Sequence, residues 1–436
     1  MSVRFFKQSA VEEAALSAEV QVTVARMLAE IEAGGEAVTR RHAERLDGWA
    51  GEIIVPRAEI EAAIAEVPGR LKDDIRYAHD NIAAFARAQL ASCRETEVEL
   101  RPGLRVGQRL IPIAAAGAYV PGGRYSHIAS ALMTVTTAKV AGVGHVAAAS
   151  PPRPGAGIPP AILYALDLCG ADSILALGGV QAIAAMAFGQ FGLPPADILV
   201  GPGNAYVAEA KRQLFGRVGI DMVAGPTDSM IIADAEADAD LVAADLVGQA
   251  EHGPTSPVWL VTDSADLANA VMARVPVCIA ALPEPNRTAA ATAWAGRGEV
   301  VLCDTRDEMA AHADRIAPEH LHVQAADLGW WRGRLRAYGS LFLGSATTVA
   351  FGDKAAGTNH VLPTSGAARY TGGLSVHKFL KTVTWQEVAP EALRELAAVT
   401  ARISRHEGME GHARSADIRL RKAFPGESFD LGPAPE

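Results

Sequence analysis

The chain has 436 residues, 49% of them hydrophobic and 21% charged, enough apolar material to bury a large core and to divide into more than one domain. A formal net charge of -10 excludes the basic face that nucleic-acid phosphates demand. No block of like charges marks an interaction tail, so small molecules are the expected partners.

Taken in chain order, MSVRFFKQSAVEEAA lacks an apolar stretch of secretory length, and the Ala/Val-rich run after Ser130 is broken by Lys139 and polar residues, so a cytoplasmic protein is expected. Up to about Ala91 the sequence is charged, Ala-rich and helical in period, with turn signals at Gly34-Gly35 and around Pro56. From Leu104 the texture changes to short apolar runs, RLIPIAA, HVAAAS, SILALGG, DILVGPG and SMIIAD, each followed by Gly or Pro and a helical segment. That alternation predicts parallel strands with crossover helices. A second series, PVWLVTD, EVVLCDT, HLHVQ and SLFLG, repeats it, so the fold class expected is α/β with two parallel units. After Thr371 the pattern returns to helices and ends in a Pro/Gly-rich tail. Cys93, Cys169, Cys278 and Cys303 are far apart and form no C-x-x-C, which predicts buried free thiols rather than disulfides or a thiolate zinc site.

Four polar residues, Gln249, His252, Asp353 and His412, offer ligands for a divalent metal with no cysteine near them. In DADLVAADLVGQAEHG the apolar positions recur at helical spacing, which aims Gln249 and His252 from one face near a helix end. Amide, carboxylate and imidazole ligands suit a metal that keeps room for a substrate, whereas structural zinc favours closed thiolate sites. By itself a Gln-x-x-His also reads as a solvated helix end. Gly201-Pro202-Gly203-Asn204 stands at a strand-to-helix junction whose free N–H groups favour a phosphate, although such a turn also reads as a simple Asn N-cap. No clean G-x-G-x-x-G supports a standard dinucleotide site. Glu319-His320 places two bases beside a strand, and imidazole has the pKa to take a hydroxyl proton near neutrality. An exposed helix-end pair is the competing reading of those two residues.

The stretches GPGNAYVAEAKRQLFGRVGIDMVAGP, GQAEH, RIAPEHLHV, GTNHVLPTSGAARYTGGLSV and EGMEGHARSADIR follow in order, and over nearly the whole chain they resemble the histidinol dehydrogenase family. The resemblance implies two incomplete Rossmann-like parallel α/β domains with helical N- and C-terminal segments. The expected boundaries are 1–20 for the N-terminal segment, 21–118 with 231–370 for the domain holding the metal and the Glu-His pair, 119–230 for the NAD domain, and 371–436 for the C-terminal segment. It also implies NAD contacts at Tyr119, Gln181 and Asn204, zinc ligands at Gln249, His252, Asp353 and His412, and substrate contacts at Thr227, His360 and Glu407. Glu319 and His320 fall on the family's catalytic pair, which takes an alcohol through the aldehyde to the acid. The family's homodimer implies that the C-terminal segment, with Glu407 and His412, reaches the partner's site.

Where the family typically carries a neutral run after its Val-Pro-Gly-Gly turn, this chain reads Arg124-Tyr125-Ser126-His127. Thr227-Asp228 replaces the usual Ser-Glu, and Lys354 stands where a Tyr is common. A guanidinium and an imidazole at a pocket wall suit a sulfonate, phosphate or carboxylate and not the cationic amine of histidinol. The altered run resembles the sulfopropanediol 3-dehydrogenases of the same superfamily, which implies oxidation of 2,3-dihydroxypropane-1-sulfonate to sulfolactate with NAD. Histidinol itself is the alternative substrate, with Arg124 then pairing a surface carboxylate. A zinc-dependent hydrolase would use the same ligand types, but the chain has no H-E-x-x-H. A non-catalytic zinc or small-molecule binding protein would have no need of Glu319-His320.

Overall fold

The computed structural model describes residues 3–10, 18–122, 127–222 and 225–432. In chain order the strands are β1 (Arg4–Lys7), β2 (Thr96–Arg101), β3 (Leu104–Pro112), β4 (Ala115–Tyr119), β5 (His145–Ser150), β6 (Ser173–Ala176), β7 (Ile198–Val200), β8 (Gly219–Ile220), β9 (Ser229–Ala233), β10 (Val258–Thr262), β11 (Gly298–Leu302), β12 (His320–Gln324), β13 (Ser340–Leu343) and β14 (Leu380–Val388). The chain forms two compact units, Met1–Leu90 with Pro112–Phe379, and Ala91–Ile111 with Leu380–Glu436.

The first unit holds two sheets. One has the order β6-β5-β4-β7-β8 and is parallel throughout. The other has the order β1-β11-β10-β9-β12-β13 and is parallel except for β1. In both, the chain winds outward from a central strand in one direction and then in the other, the doubly wound arrangement whose order reverses at one point. That point lies between β4 and β7 in the first sheet and between β9 and β12 in the second. Strands such as Ser229–Ala233 are buried along their whole length, as expected where helices cover both faces. The helices Ala239–Ala250 and Ala265–Ala280 bury Val242, Leu246 and Val271 on one face of the six-stranded sheet, while Met309, Ala313 and Trp331 cover the other.

Four of the expectations are corrected. Residues 4–7 are a strand, antiparallel to β11, not part of an N-terminal helical segment. The consecutive Phe5 and Phe6 favour strand, but four residues are too few to display a period. The helix Ala18–His42 packs on Gly179–Phe188 and Ala205–Leu214, so residues 18–42 belong with the five-stranded sheet rather than with 231–370. The core that decides this joins Val24, Leu28 and Ile31 to Val180, Ile183 and Val207. The run RLIPIAA is not a parallel strand: its first half ends β3, and β4 begins at Ala115. β4 reads Ala-Ala-Gly-Ala-Tyr, which carries almost no strand propensity. Close packing selects it instead, because a Cβ on Gly117 would lie 2.8 Å from Leu199. Lastly, the C-terminal part is not wholly helical.

The second unit has the sheet order β14-β3-β2, with β2 and β3 antiparallel. Its helices Pro390–His406 and Glu410–Ala423 pack through Ala397, Ala401, Ala413 and Leu420. Among the described residues no helix is long and apolar enough to cross a membrane.

Candidate active site

In the five-stranded sheet, Tyr119 ends β4 and Gly201-Pro202-Gly203-Asn204 follows β7, so both stand at the carboxyl ends of the two strands flanking the reversal point. This is where open α/β sheets bind ligands. Gly201 has φ +110°, and a Cβ there would meet the Tyr119 carbonyl oxygen at 2.1 Å, so only glycine lets the two strand ends approach. Its N–H donates to Asp221 at 2.7 Å and its carbonyl accepts from Lys211 at 2.9 Å, and these two side chains form a fully buried ion pair. Asn204 is the N-cap of Ala205–Leu214, accepting from the N–H groups of Tyr206 and Val207 at 3.1 Å. The capping alternative is therefore met, and Asn204 remains exposed.

The Tyr119 hydroxyl accepts from the Gly179 N–H at 3.1 Å, and burial pushes its pKa up to about 12, so it stays protonated. Gln181 is buried in the first turn of Gly179–Phe188; its amide donates to Asp47 at 2.9 Å, and its Oε1 has no hydrogen-bond partner. Asp47 also accepts from the Gly178 N–H at 3.0 Å, and burial raises its pKa against those two bonds. No sequence signal singled out Asp47, which sits in an ordinary Leu-Asp-Gly turn.

The second group lies at the amino ends of β9 and β12, opposite to the usual rule for open sheets. The helix Arg306–Ile316 stops at Ala317, which takes a left-handed φ of 54°, and Pro318 then forces the chain into the start of β12. Glu319 and His320 are both buried, so the exposed helix-end reading does not hold. Asp228, immediately before β9, accepts the Glu319 N–H at 2.6 Å and the Ser365 N–H at 3.0 Å. Glu319 in turn accepts the Asp228 N–H at 3.1 Å. His320 Nδ1 lies 3.2 Å from the Asp228 carbonyl oxygen, an acceptor only, so Nδ1 carries the proton. Its Nε2 has no hydrogen-bond partner and faces Asp353 at 3.5 Å.

The electrostatics follow from burial and crowding. Burial holds the Glu319 carboxyl above the usual carboxylate range, with Asp228 and Asp353 adding to the effect and His320 opposing it. Burial acts to lower His320, but Glu319 and Asp353 outweigh it and hold the imidazole above its ordinary value. Asp353 is lowered: burial would raise it, and the proximity and charge of His320, with His360 and His252, overcome that.

Gln249 is in the last turn of Ala239–Ala250, and His252 lies in the turn just beyond it. Gln249 Oε1 is buried without a partner, and His252 Nε2 is 3.9 Å from Asp353. Burial lowers the His252 pKa, favouring the neutral, ligating form. Among the described residues no group of three or more His, Cys, Asp and Glu gathers into a metal cage. One expected donor is an amide, and His412 belongs to the second unit, exposed in the first turn of Glu410–Ala423. The chemistry still fits: an orphaned amide oxygen, a neutral imidazole and an ionised carboxylate suit a divalent cation.

Of the substrate positions, Arg124 lies outside the described residues. His127 is partly buried, and burial together with the charges of Lys354, His360 and His252 drives its pKa down to about 4. The expectation of a positive imidazole there is corrected: near neutrality His127 offers an N–H or a lone pair. Lys354, exposed at the end of Val349–Lys354, is a nearby positive charge that acts on His127. Both ring nitrogens of His360 are engaged, Nδ1 with the Asp353 carbonyl at 2.8 Å and Nε2 with the Ser130 hydroxyl at 3.1 Å. Thr227 is partly buried beside Asp228, and Glu407 is exposed at the end of Pro390–His406.

A glycine-rich strand-to-helix turn at the reversal point of one sheet and a buried carboxylate–imidazole pair at that of a second define an α/β enzyme. The Histidinol dehydrogenase family profile matches residues 11–420. The chain is 70% identical over 406 residues to a "Histidinol dehydrogenase homolog" of Ruegeria pomeroyi, covering 93% of each. It is 61% identical to a "Sulfopropanediol 3-dehydrogenase" of the same organism, covering 99% of each. A crystal structure of histidinol dehydrogenase from Elizabethkingia anophelis superposes with a TM-score of 0.88 at 32% identity, covering 95% of this chain and 94% of that one. The chain belongs to the histidinol dehydrogenase family and is an oxidoreductase acting on a CH–OH group.

Proposed function

We propose that the chain carries out an NAD-linked, zinc-dependent, four-electron oxidation of a primary alcohol through the aldehyde to the acid, with 2,3-dihydroxypropane-1-sulfonate as substrate and sulfolactate as product. The observation that carries the chemistry is the orientation of His320: Nδ1 is committed to the Asp228 carbonyl, and Nε2 is left without a partner. The relative that carries the substrate is the sulfopropanediol 3-dehydrogenase, at 61% identity over 99% of both chains.

When bound, zinc would supply Lewis-acid polarisation that eases loss of the hydroxyl proton, and NAD would supply the hydride acceptor. Gln249, His252 and Asp353 would hold the metal with His412. Tyr119, Gln181 and Asn204 bind the dinucleotide. His320 Nε2, once the imidazole is neutral, takes the hydroxyl proton as hydride leaves. In the second half Glu319, once ionised, removes a proton from the water that attacks the aldehyde. Overall, one alcohol, one water and two NAD give the carboxylate, two NADH and three protons. Arg124 and Lys354 attract the sulfonate, His127 donates a hydrogen bond, and Thr227 and His360 complete the wall. In a cytoplasmic homodimer, Glu407 and His412 come from the partner chain.

The test is NAD reduction by the purified, zinc-loaded protein with dihydroxypropanesulfonate and histidinol side by side. Turnover of the sulfonate with little of histidinol supports the reading; efficient turnover of histidinol restores the alternative.

A further inference from the structure

We infer that Asp245 is a positioning residue for the metal-ligand set: one carboxylate ties together the three elements that carry Gln249, Asp353 and His320. The inference rests on the metal reading above.

Asp245 precedes Gln249 by four residues, so the two share a face of Ala239–Ala250. Its Oδ2 accepts from the Gln324 amide at 2.8 Å and lies 3.4 Å from His322 Nδ1. Gln324 and His322 are on β12, four and two residues beyond His320 and on the same side of the strand. Its Oδ1 accepts from the Thr348 hydroxyl at 2.9 Å. Thr348 is the N-cap of Val349–Lys354, the helix that delivers Asp353 one turn later. His322 is itself pinned by the Gly344 carbonyl, 3.0 Å from its Nε2. The Asp245 side chain is only 18% exposed, so water competes weakly for these bonds.

The consequence is geometric. A ligand set drawn from a helix end, the turn beyond it and a second short helix binds a cation well only if those pieces keep their spacing, and partners behind the ligands set that spacing. The Asp245 carboxylate makes no hydrogen bond to the side chains of the proposed ligands, yet it fixes the helix of Gln249, the helix of Asp353 and the strand of His320 at one point. A carboxylate suits this place because both oxygens accept. An amide of the same shape turns one acceptor into a donor aimed at the Gln324 amide or the Thr348 hydroxyl.

The test is zinc affinity of the full-length protein, measured by competition with a chromogenic chelator, with the melting temperature of the apo-protein followed in parallel. Asp245→Asn is expected to weaken zinc binding by roughly 10–100-fold, the usual effect of removing a partner behind a ligand. Thr348→Val, which cuts a single arm, is expected to weaken it several-fold, with Thr348→Ser restoring it because the hydroxyl returns. Unchanged zinc affinity in Asp245→Asn and Thr348→Val overturns the inference whether or not the melting temperature falls, since a purely structural bond would move only the latter. Wild-type protein that binds no zinc overturns the metal reading as well, which separates that failure from this one. Should Asp245→Asn not fold, the Thr348 pair decides.

Discussion

Asp228 and Glu319 hold each other by exchanged hydrogen bonds: the Asp228 carboxylate accepts the Glu319 N–H at 2.6 Å, and the Glu319 carboxylate accepts the Asp228 N–H at 3.1 Å. The exchange locks the start of β9 to the start of β12, at the reversal point of the six-stranded sheet, and it delivers a buried carboxylate beside His320.

Glu319→Gln keeps the acceptor for the Asp228 N–H but removes the base. Alcohol oxidation should continue while hydration of the aldehyde slows by about 10²–10⁴-fold, the size of a general-base contribution. Trapping aldehyde with a hydrazine reagent checks this. A variant that still yields acid at the wild-type rate removes Glu319 from the second step.

His320→Gln should bind zinc and substrate normally and lose turnover by a factor on the order of 10²–10⁴. Metal analysis and steady-state kinetics on one preparation separate the two effects. Turnover close to that of the wild type would mean that another group takes the proton.

Much of this was legible in the sequence. The runs HVAAAS, SMIIAD and HLHVQ became β5, β9 and β12 because buried parallel strands read as continuous apolar stretches. Glu319 and His320 stood out because two bases abut a strand. β4 was misplaced, since Ala-Ala-Gly-Ala-Tyr is chosen by close packing and carries little propensity of its own. Asp47, Asp221 and Asp245 went unnoticed because the partners named for them lie from 10 to more than 100 residues away, and local spacing holds no trace of such bonds. The charge state of His127 was equally hidden, being set by burial and by Lys354, His360 and His252.

His312 provides a stability test away from the site. It is buried, and burial, reinforced by Arg315, drives its pKa down to about 4. The unfolded chain takes up a proton at His312 below about 6.5 while the folded chain does not. This residue therefore costs stability as pH falls from about 6.5 toward about 4, and costs nothing above that window. His312→Asn should show a smaller fall in melting temperature between about pH 7 and about pH 5 than the wild type. An equal fall in both proteins would contradict the assignment.

Arg124 and Lys354 should govern affinity for an anionic substrate. A charge-assisted contact contributes about 1.5–3 kcal/mol, so Arg124→Ala should raise KM for dihydroxypropanesulfonate by roughly tenfold or more. Lys354→Tyr should raise it less, because the ammonium is exposed and screened. In both, kcat should fall less than kcat/KM, since ground and transition states lose the same contact. Indifference of KM to both changes would argue against a sulfonate.

The most direct test of the central claim is the yield of NADH from a limiting amount of dihydroxypropanesulfonate run to completion with excess NAD. Two NADH per substrate, with sulfolactate as the product, is the predicted result. One NADH with the aldehyde as end product, or none at all, would contradict the four-electron oxidation proposed for this chain.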